Sequence, residues 1–180
     1  MKQKIKKLPR EFFAGDATTV ARRLLGKKIV RITPDGKRFE GIINETEAYV
    51  GTGDRASHSF GGRRTKRNEI MYGKAGHAYV YFTYGMHWLL NITTSEVGDP
   101  QAVLIRGIDK AEGPARLTKY LKIDKDFYGE DIVKSRRLWI EDTGSEVKGE
   151  DIRKLPRVGI GYAEEWRDKL LRFKLIESEK

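Results

Sequence analysis

The stretch Asn44-Glu45-Thr46-Glu47-Ala48-Tyr49 sets two carboxylates two residues apart beside an aromatic ring. If it is part of a strand, side chains alternate, and Ile43, Glu45, Glu47 and Tyr49 share one face. Residues two apart on a strand lie ~6.5–7 Å from each other. One such carboxylate could act as a general base toward a water, its pKa set by burial and by its neighbour. The competing reading is a charged strand edge that discourages aggregation. On this segment alone the edge reading is the stronger.

Two further stretches carry chemistry. Ser57–Asn68 holds Arg63, Arg64, Lys66 and Arg67 among glycines and hydroxyls, a composition suited to gripping phosphates. It lacks the Gly-x-x-x-x-Gly-Lys-Ser/Thr spacing of a nucleotide-binding loop, and a merely solvated charge run has the same composition. Tyr79–Trp88 is rich in aromatic residues, and a hairpin of that kind is normally core, which suits Val80, Phe82, Leu89 and Leu90. Tyr84 and Met86 differ because they fall at the turn, where burial is not expected. A bulky tip on a basic protein suits wedging between base pairs, filling the gap that a flipped nucleotide leaves.

The elements that must position these groups are legible to different degrees. Asp16 reads as the cap of a helix whose apolar stripe is Ala17, Val20, Ala21, Leu24 and Leu25, stopped at Gly26. Strands are expected at 28–33 and 39–50 around the turn Pro34-Asp35-Gly36, then at 78–83, 88–94 and 101–108. Residues 52–76 read as a long surface loop. A short helix follows Pro114 over residues 115–122, and a strand covers 138–141 within the otherwise unreadable 124–148. Strands at 158–162 and 170–175 flank a turn of helix at 163–167. The expectation is an α+β fold: one domain over residues 1–180, built on a curved, mostly antiparallel sheet with a projecting hairpin. Residues 1–10 form a basic tail and 176–180 a second tail.

The chain carries 36 Lys and Arg against 26 Asp and Glu, a formal charge of +10, and is aromatic enough to fold. Clustered cations displace the counterions of phosphates, so nucleic acid leads the candidate partners. A well-charged surface of no special purpose is the bland alternative. With no cysteine and three scattered histidines, the sequence offers no thiolate or paired-histidine metal site. No metal or organic cofactor is expected. No stretch nears the ~20 apolar residues of a membrane span, so an intracellular, soluble, monomeric protein is expected.

In order, the strings NETEAYVG (44–51), HSFGGRRTKRN (58–68), YVYFTYGM (79–86), NIT (91–93), AVLIR (102–106) and RVGIGYA (157–163) through Arg172-Phe173 resemble the alkyladenine, or methylpurine, DNA glycosylases. The resemblance runs from about Phe12 to Phe173. Lys66 replaces an expected proline, His87 an expected aromatic, and 124–148 matches nothing. The resemblance implies hydrolytic removal of alkylated or deaminated purines (3-methyladenine, 7-methylguanine, hypoxanthine, ethenoadenine) from double-stranded DNA. It implies Glu47 as the general base, and Tyr49, His58 and Tyr81 as the pocket around a flipped base. Asn91 would crowd the 2-amino group of guanine, Arg106 would help hold the nucleotide, and Tyr84 with Met86 would intercalate. A non-catalytic nucleic-acid-binding module is the main alternative; a hydrolase of free nucleosides explains the carboxylates but not the basic loop.

Overall fold

The computed structural model describes residues 6–176. After a single helical turn, α1 (Arg10–Phe13), helix α2 (Ala17–Leu24) starts where the Asp16 carboxylate accepts the Thr19 amide at 3.0 Å. Its stripe of Ala17, Val20, Ala21 and Leu24 is buried, and Gly26, at φ +79°, lets the chain turn away. Strands β1 (Lys28–Ile32) and β2 (Arg38–Val50) meet through a turn closed by the Gly36 amide on the Thr33 carbonyl.

The remaining strands are β3 (Ala78–Thr83), β4 (His87–Thr94), β5 (Gln101–Ile108), β6 (Ala111–Glu112), β7 (Leu138–Glu141), β8 (Ile152–Leu155) and β9 (Arg172–Leu175). Helix α3 (Pro114–Tyr120) lies between β6 and β7. Every strand pairing among the described residues is antiparallel, along the path β3-β4-β5-β2-β1-β7 with β6 on β5 and β8-β9 on β2. The 13-residue β2 is the spine: one edge pairs with β1 and then with β9, and the other with β5. Helix α2 covers one face, where Val20, Leu24, Ile43, Val103, Ile105 and Phe173 share the core. No helix among the described residues is long and apolar enough to cross a membrane.

The expected face of β2 needs a correction. Pairing with β5 slips twice, so that Asn44 is an extra residue on β2 and Arg106 an extra residue on β5. Each bulge reverses the alternation locally. Ile43 therefore joins Ala48 in the core, and Thr46 bonds the Ala21 carbonyl of α2, while Glu47 and Tyr49 face the other way. Gly107 makes room for the bulge: a Cβ there would sit 2.7 Å from Asn44 Oδ1.

Other expectations change as well. Residues 52–76 do not lie on the surface as a plain loop. They contain 3-10 turns at Phe60–Gly62 and Glu69–Tyr72, and Asp54, Ser59, Asn68 and Met71 are buried. Side chains supply the hydrogen bonds that a ladder would: the Asn68 carboxamide donates to the His58 and Arg63 carbonyls and accepts the Thr65 amide. Residues 158–162 form no strand, because Gly159 takes φ +75° and the chain turns at Ile160. The strand of that region is β8, whose one buried residue, Ile152, leaves no alternation to read. Phe82, expected in the core, is 43% exposed and Leu89 half-buried, like the other residues from Tyr81 to Trp88, which are all exposed or half-buried. Of the expected tails, Leu8 is buried and bonds to β7, Ile176 bonds to Asp151, and residues 1–5 and 177–180 lie outside the described residues.

Candidate active site

Strand order brings together residues far apart in the chain. The registers place Tyr79, Asn91, Leu104, Glu47 and Arg172 in one row across β3, β4, β5, β2 and β9. Residues paired in such a row project to the same face. Tyr49 stands opposite Ala102, whose small side chain leaves space in front of the ring.

Glu47 is fully buried. Its Oε2 accepts the Tyr49 hydroxyl at 3.0 Å, its Oε1 accepts the Val158 amide at 2.8 Å, and Arg106 Nη1 stands 3.4 Å from Oε1. Burial pushes its carboxyl above the ordinary range, while Arg106, the Val158 amide, the Tyr49 hydroxyl and Arg157 pull it back. Glu45 has a different role. It accepts from Arg106 Nε at 3.1 Å and Arg172 Nη1 at 3.0 Å, with Lys174 3.9 Å away. The two carboxylates are therefore not equivalent: Glu45 is surrounded by three cations and orients Arg106, while Glu47 is held by a hydroxyl, a backbone amide and the far side of the same arginine.

Beside Glu47 lies a cavity of about 20 Å³, lined by Tyr49, His58, Tyr79, Tyr81, Asn91 and Ala102 among others, with room for about one water. The His58 and Tyr81 rings meet edge to face at 4.7 Å. His58 Nδ1 shares a hydrogen with Tyr79 Oη at 2.6 Å, and the Asn91 amide donates to the Tyr79 carbonyl at 3.2 Å. Burial, helped by Arg67 and Arg63, lowers the His58 pKa to about 4. Burial and the Glu47 charge raise Tyr81 to about 12. At neutral pH the cavity wall is thus uncharged aromatic surface next to one carboxylate.

The turn Tyr84-Gly85-Met86 links β3 to β4, with Tyr84 80% and Met86 66% exposed. Tyr84 holds φ +52°, a left-handed conformation costly for a residue with a side chain. In the basic loop, Arg64 is tied two-pronged to Glu69, and Arg67 bonds the Phe82 carbonyl and covers the Tyr81 ring. Arg63 and Lys66 extend their side chains into solvent without a hydrogen bond or ion pair among the described residues.

The structure thus gathers Tyr49, His58, Tyr81 and Asn91 around one cavity, with Glu47 bonded to Tyr49, Arg106 against Glu47, and Arg67 of the basic loop over the Tyr81 ring. Sequence reasoning missed Tyr79, Asp54, Arg157 and the Val158 amide. Tyr79 sits two before Tyr81 in the same aromatic run and could have been suspected; a backbone amide carries no residue-type signal. Among the described residues no three His, Asp or Glu side chains cluster as metal ligands do.

A family model described as methylpurine-DNA glycosylase matches residues 11–112 and 108–179. A protein of Desulfitobacterium hafniense (strain Y51) named "Putative 3-methyladenine DNA glycosylase" is 40% identical over 202 aligned residues, covering 97% of this chain and 98% of its own. A Clostridium botulinum protein of the same name is 40% identical over 194, covering 93% and 94%.

Proposed function

The chain belongs to the methylpurine-DNA glycosylase family, and on that premise we propose that it flips an alkylated or deaminated purine out of duplex DNA and hydrolyses it off its sugar at Glu47. It is a monofunctional DNA glycosylase of base-excision repair, a hydrolase of N-glycosyl bonds. The substrates in this reading are 3-methyladenine, 7-methylguanine, hypoxanthine and ethenoadenine.

One observation carries it: a fully buried carboxylate is held by the Val158 amide and by the hydroxyl of Tyr49, a ring that lines a cavity walled by aromatic side chains. Breaking an N-glycosyl bond builds positive charge on the sugar and negative charge on the departing base. A carboxylate near C1′ stabilises that cation and takes the proton of an attacking water. Arg106 sits where it favours the ionised form of Glu47 that this role needs. The empty cavity is smaller than a purine, so His58 and Tyr81 separate as the base enters and then enclose it. Tyr84, with Met86 beside it, occupies the vacated stack, and Arg63 and Lys66 meet phosphates.

Incubation with duplexes holding a single lesion, followed by alkali, tests the reading. Strand breakage at the lesion in a wild-type reaction is expected. Tight binding without breakage on every lesion duplex overturns it and leaves a nucleic-acid-binding module.

A further inference from the structure

Against the Tyr49 ring lies a charge pair noted so far only for the pull of Arg157 on the Glu47 carboxyl. The Arg157 and Asp54 side chains are both fully buried, joined by two hydrogen bonds from Nη1 and Nη2 to the two carboxylate oxygens. Arg157 also donates to the Ala48 carbonyl at 2.9 Å. Burying two charges is expensive, and an apolar pair of similar volume commonly stabilises a fold at least as well. Hydrophobic filling alone therefore does not account for it.

Each partner holds a different part of the active site. Asp54 accepts the Val50 amide at 3.1 Å and the Ala56 amide at 3.0 Å, which fixes the turn leading into His58. The Arg157 guanidinium lies 4.8 Å from the centre of the Tyr49 ring, on the strand that also carries Glu47. The next residue, Val158, aims its amide at Glu47 Oε1. Loops 51–59 and 156–163 belong to no shared strand pairing, and this pair is a direct tie between them. We propose that Arg157 and Asp54 are positioning residues, a buried clamp that sets Glu47, Tyr49 and His58 relative to one another. The inference rests on the glycosylase reading for what the positioned groups do.

The groups facing Glu47 are Arg106 from β5, Tyr49 on its own strand, Tyr81 from the hairpin and Arg157; Glu45 with Arg172 and Lys174 stands behind Arg106. Loss of Arg157 takes away one cation and loosens one amide donor, so Glu47 ionises less readily.

Two variants test the clamp: the apolar pair Asp54→Leu/Arg157→Met, and Arg157→Lys, which keeps the charge but not the two-pronged geometry. Thermal midpoints are measured first. Single-turnover excision from a hypoxanthine duplex is then followed across pH, and Glu47 is titrated directly by carbon-13 NMR. In whichever variant folds, excision is expected to fall about 10- to 100-fold, the effect of displacing a reacting group by a fraction of an ångström to an ångström. In the apolar pair the acid limb of the rate profile and the NMR titration of Glu47 both move to higher pH. Wild-type rates with an unmoved Glu47 titration overturn the clamp and leave the pair as packing. Wild-type protein inactive on every lesion strikes the glycosylase reading instead, while the NMR titration still decides the clamp.

Discussion

Glu47 on β2 and Asn91 on β4 flank Leu104 of β5 in one row, and each has a distinct consequence. Glu47→Gln keeps the shape and the Val158 bond but removes the proposed base. Excision should fall by about 10²–10⁴-fold while lesion binding persists, measured by single-turnover kinetics beside a binding titration. Burial places the Glu47 carboxyl above the ordinary range, so wild-type activity should decline on acidification at a higher pH than a solvent-exposed glutamate would give. Persistent excision in the glutamine variant would move the role elsewhere, and Glu45, already bound by Arg106 and Arg172, is poorly placed to take it. Asn91, held by its donation to the Tyr79 carbonyl, presents a fixed polar edge to whatever enters. Stacking tolerates any purine, so discrimination has to come partly from exclusion. Asn91→Ser should let undamaged guanine be excised, most visibly when mispaired. Guanine left uncut while hypoxanthine excision is retained would remove Asn91 as the gate.

Among the elements, the hairpin and the basic loop are proposed to meet DNA in different ways. The three-residue tip keeps Tyr84 in a left-handed conformation that small polar residues adopt more easily, a strain found most often at working sites. Unstacking a base pair costs a few kcal/mol, and a wedge offsets part of that. Tyr84→Ser should therefore reduce flipping, read by the fluorescence of a reporter base, and unchanged fluorescence would argue against the wedge. In the loop, the four cations are not equivalent. Glu69 already neutralises Arg64, whereas Arg63 and Lys66 extend into solvent. Removing Arg63 or Lys66 should flatten the log–log salt dependence of DNA binding by about one unit each, and removing Arg64 by distinctly less. Equal slopes in all three variants would mean that the Arg64–Glu69 pair opens on DNA.

For the whole molecule, stability and site share the same buried segment. His58 has a folded pKa of about 4 against an ordinary 6.5, so between those values the unfolded chain binds more protons. Stability from this residue is fully present above pH 6.5 and is lost as pH falls toward 4, by up to about 3 kcal/mol at 1.36 kcal/mol per pKa unit. Urea unfolding across that window should show the loss in wild type and a flatter profile in His58→Gln. Identical profiles would place the imidazole in contact with solvent. The same sequestration keeps His58 neutral in the cavity wall, so the acid sensitivity of the fold is a consequence of the pocket.

Local chemistry was enough to read part of this protein from its sequence. The Asp16 cap and apolar stripe of α2, the strands Gln101–Ile108 and Leu138–Glu141, and the exposed bend at Tyr84 each rest on residues adjacent in the chain. Of the residues singled out through the family strings, Tyr49, His58, Tyr81 and Asn91 line one cavity; their roles remain proposals. Which of the paired carboxylates is surrounded by cations was decided only in three dimensions, because the answer depends on Arg106 and Arg172, 61 and 127 residues beyond Glu45. So did the fate of residues 52–76, whose buried asparagine and aspartate mimic backbone partners, and of residues 158–162, where a glycine at positive φ bends the chain and Val158 turns its amide toward Glu47. Periodicity reports a regular face, and it has no means of registering two bulges, a backbone donor or a buried ion pair between distant loops.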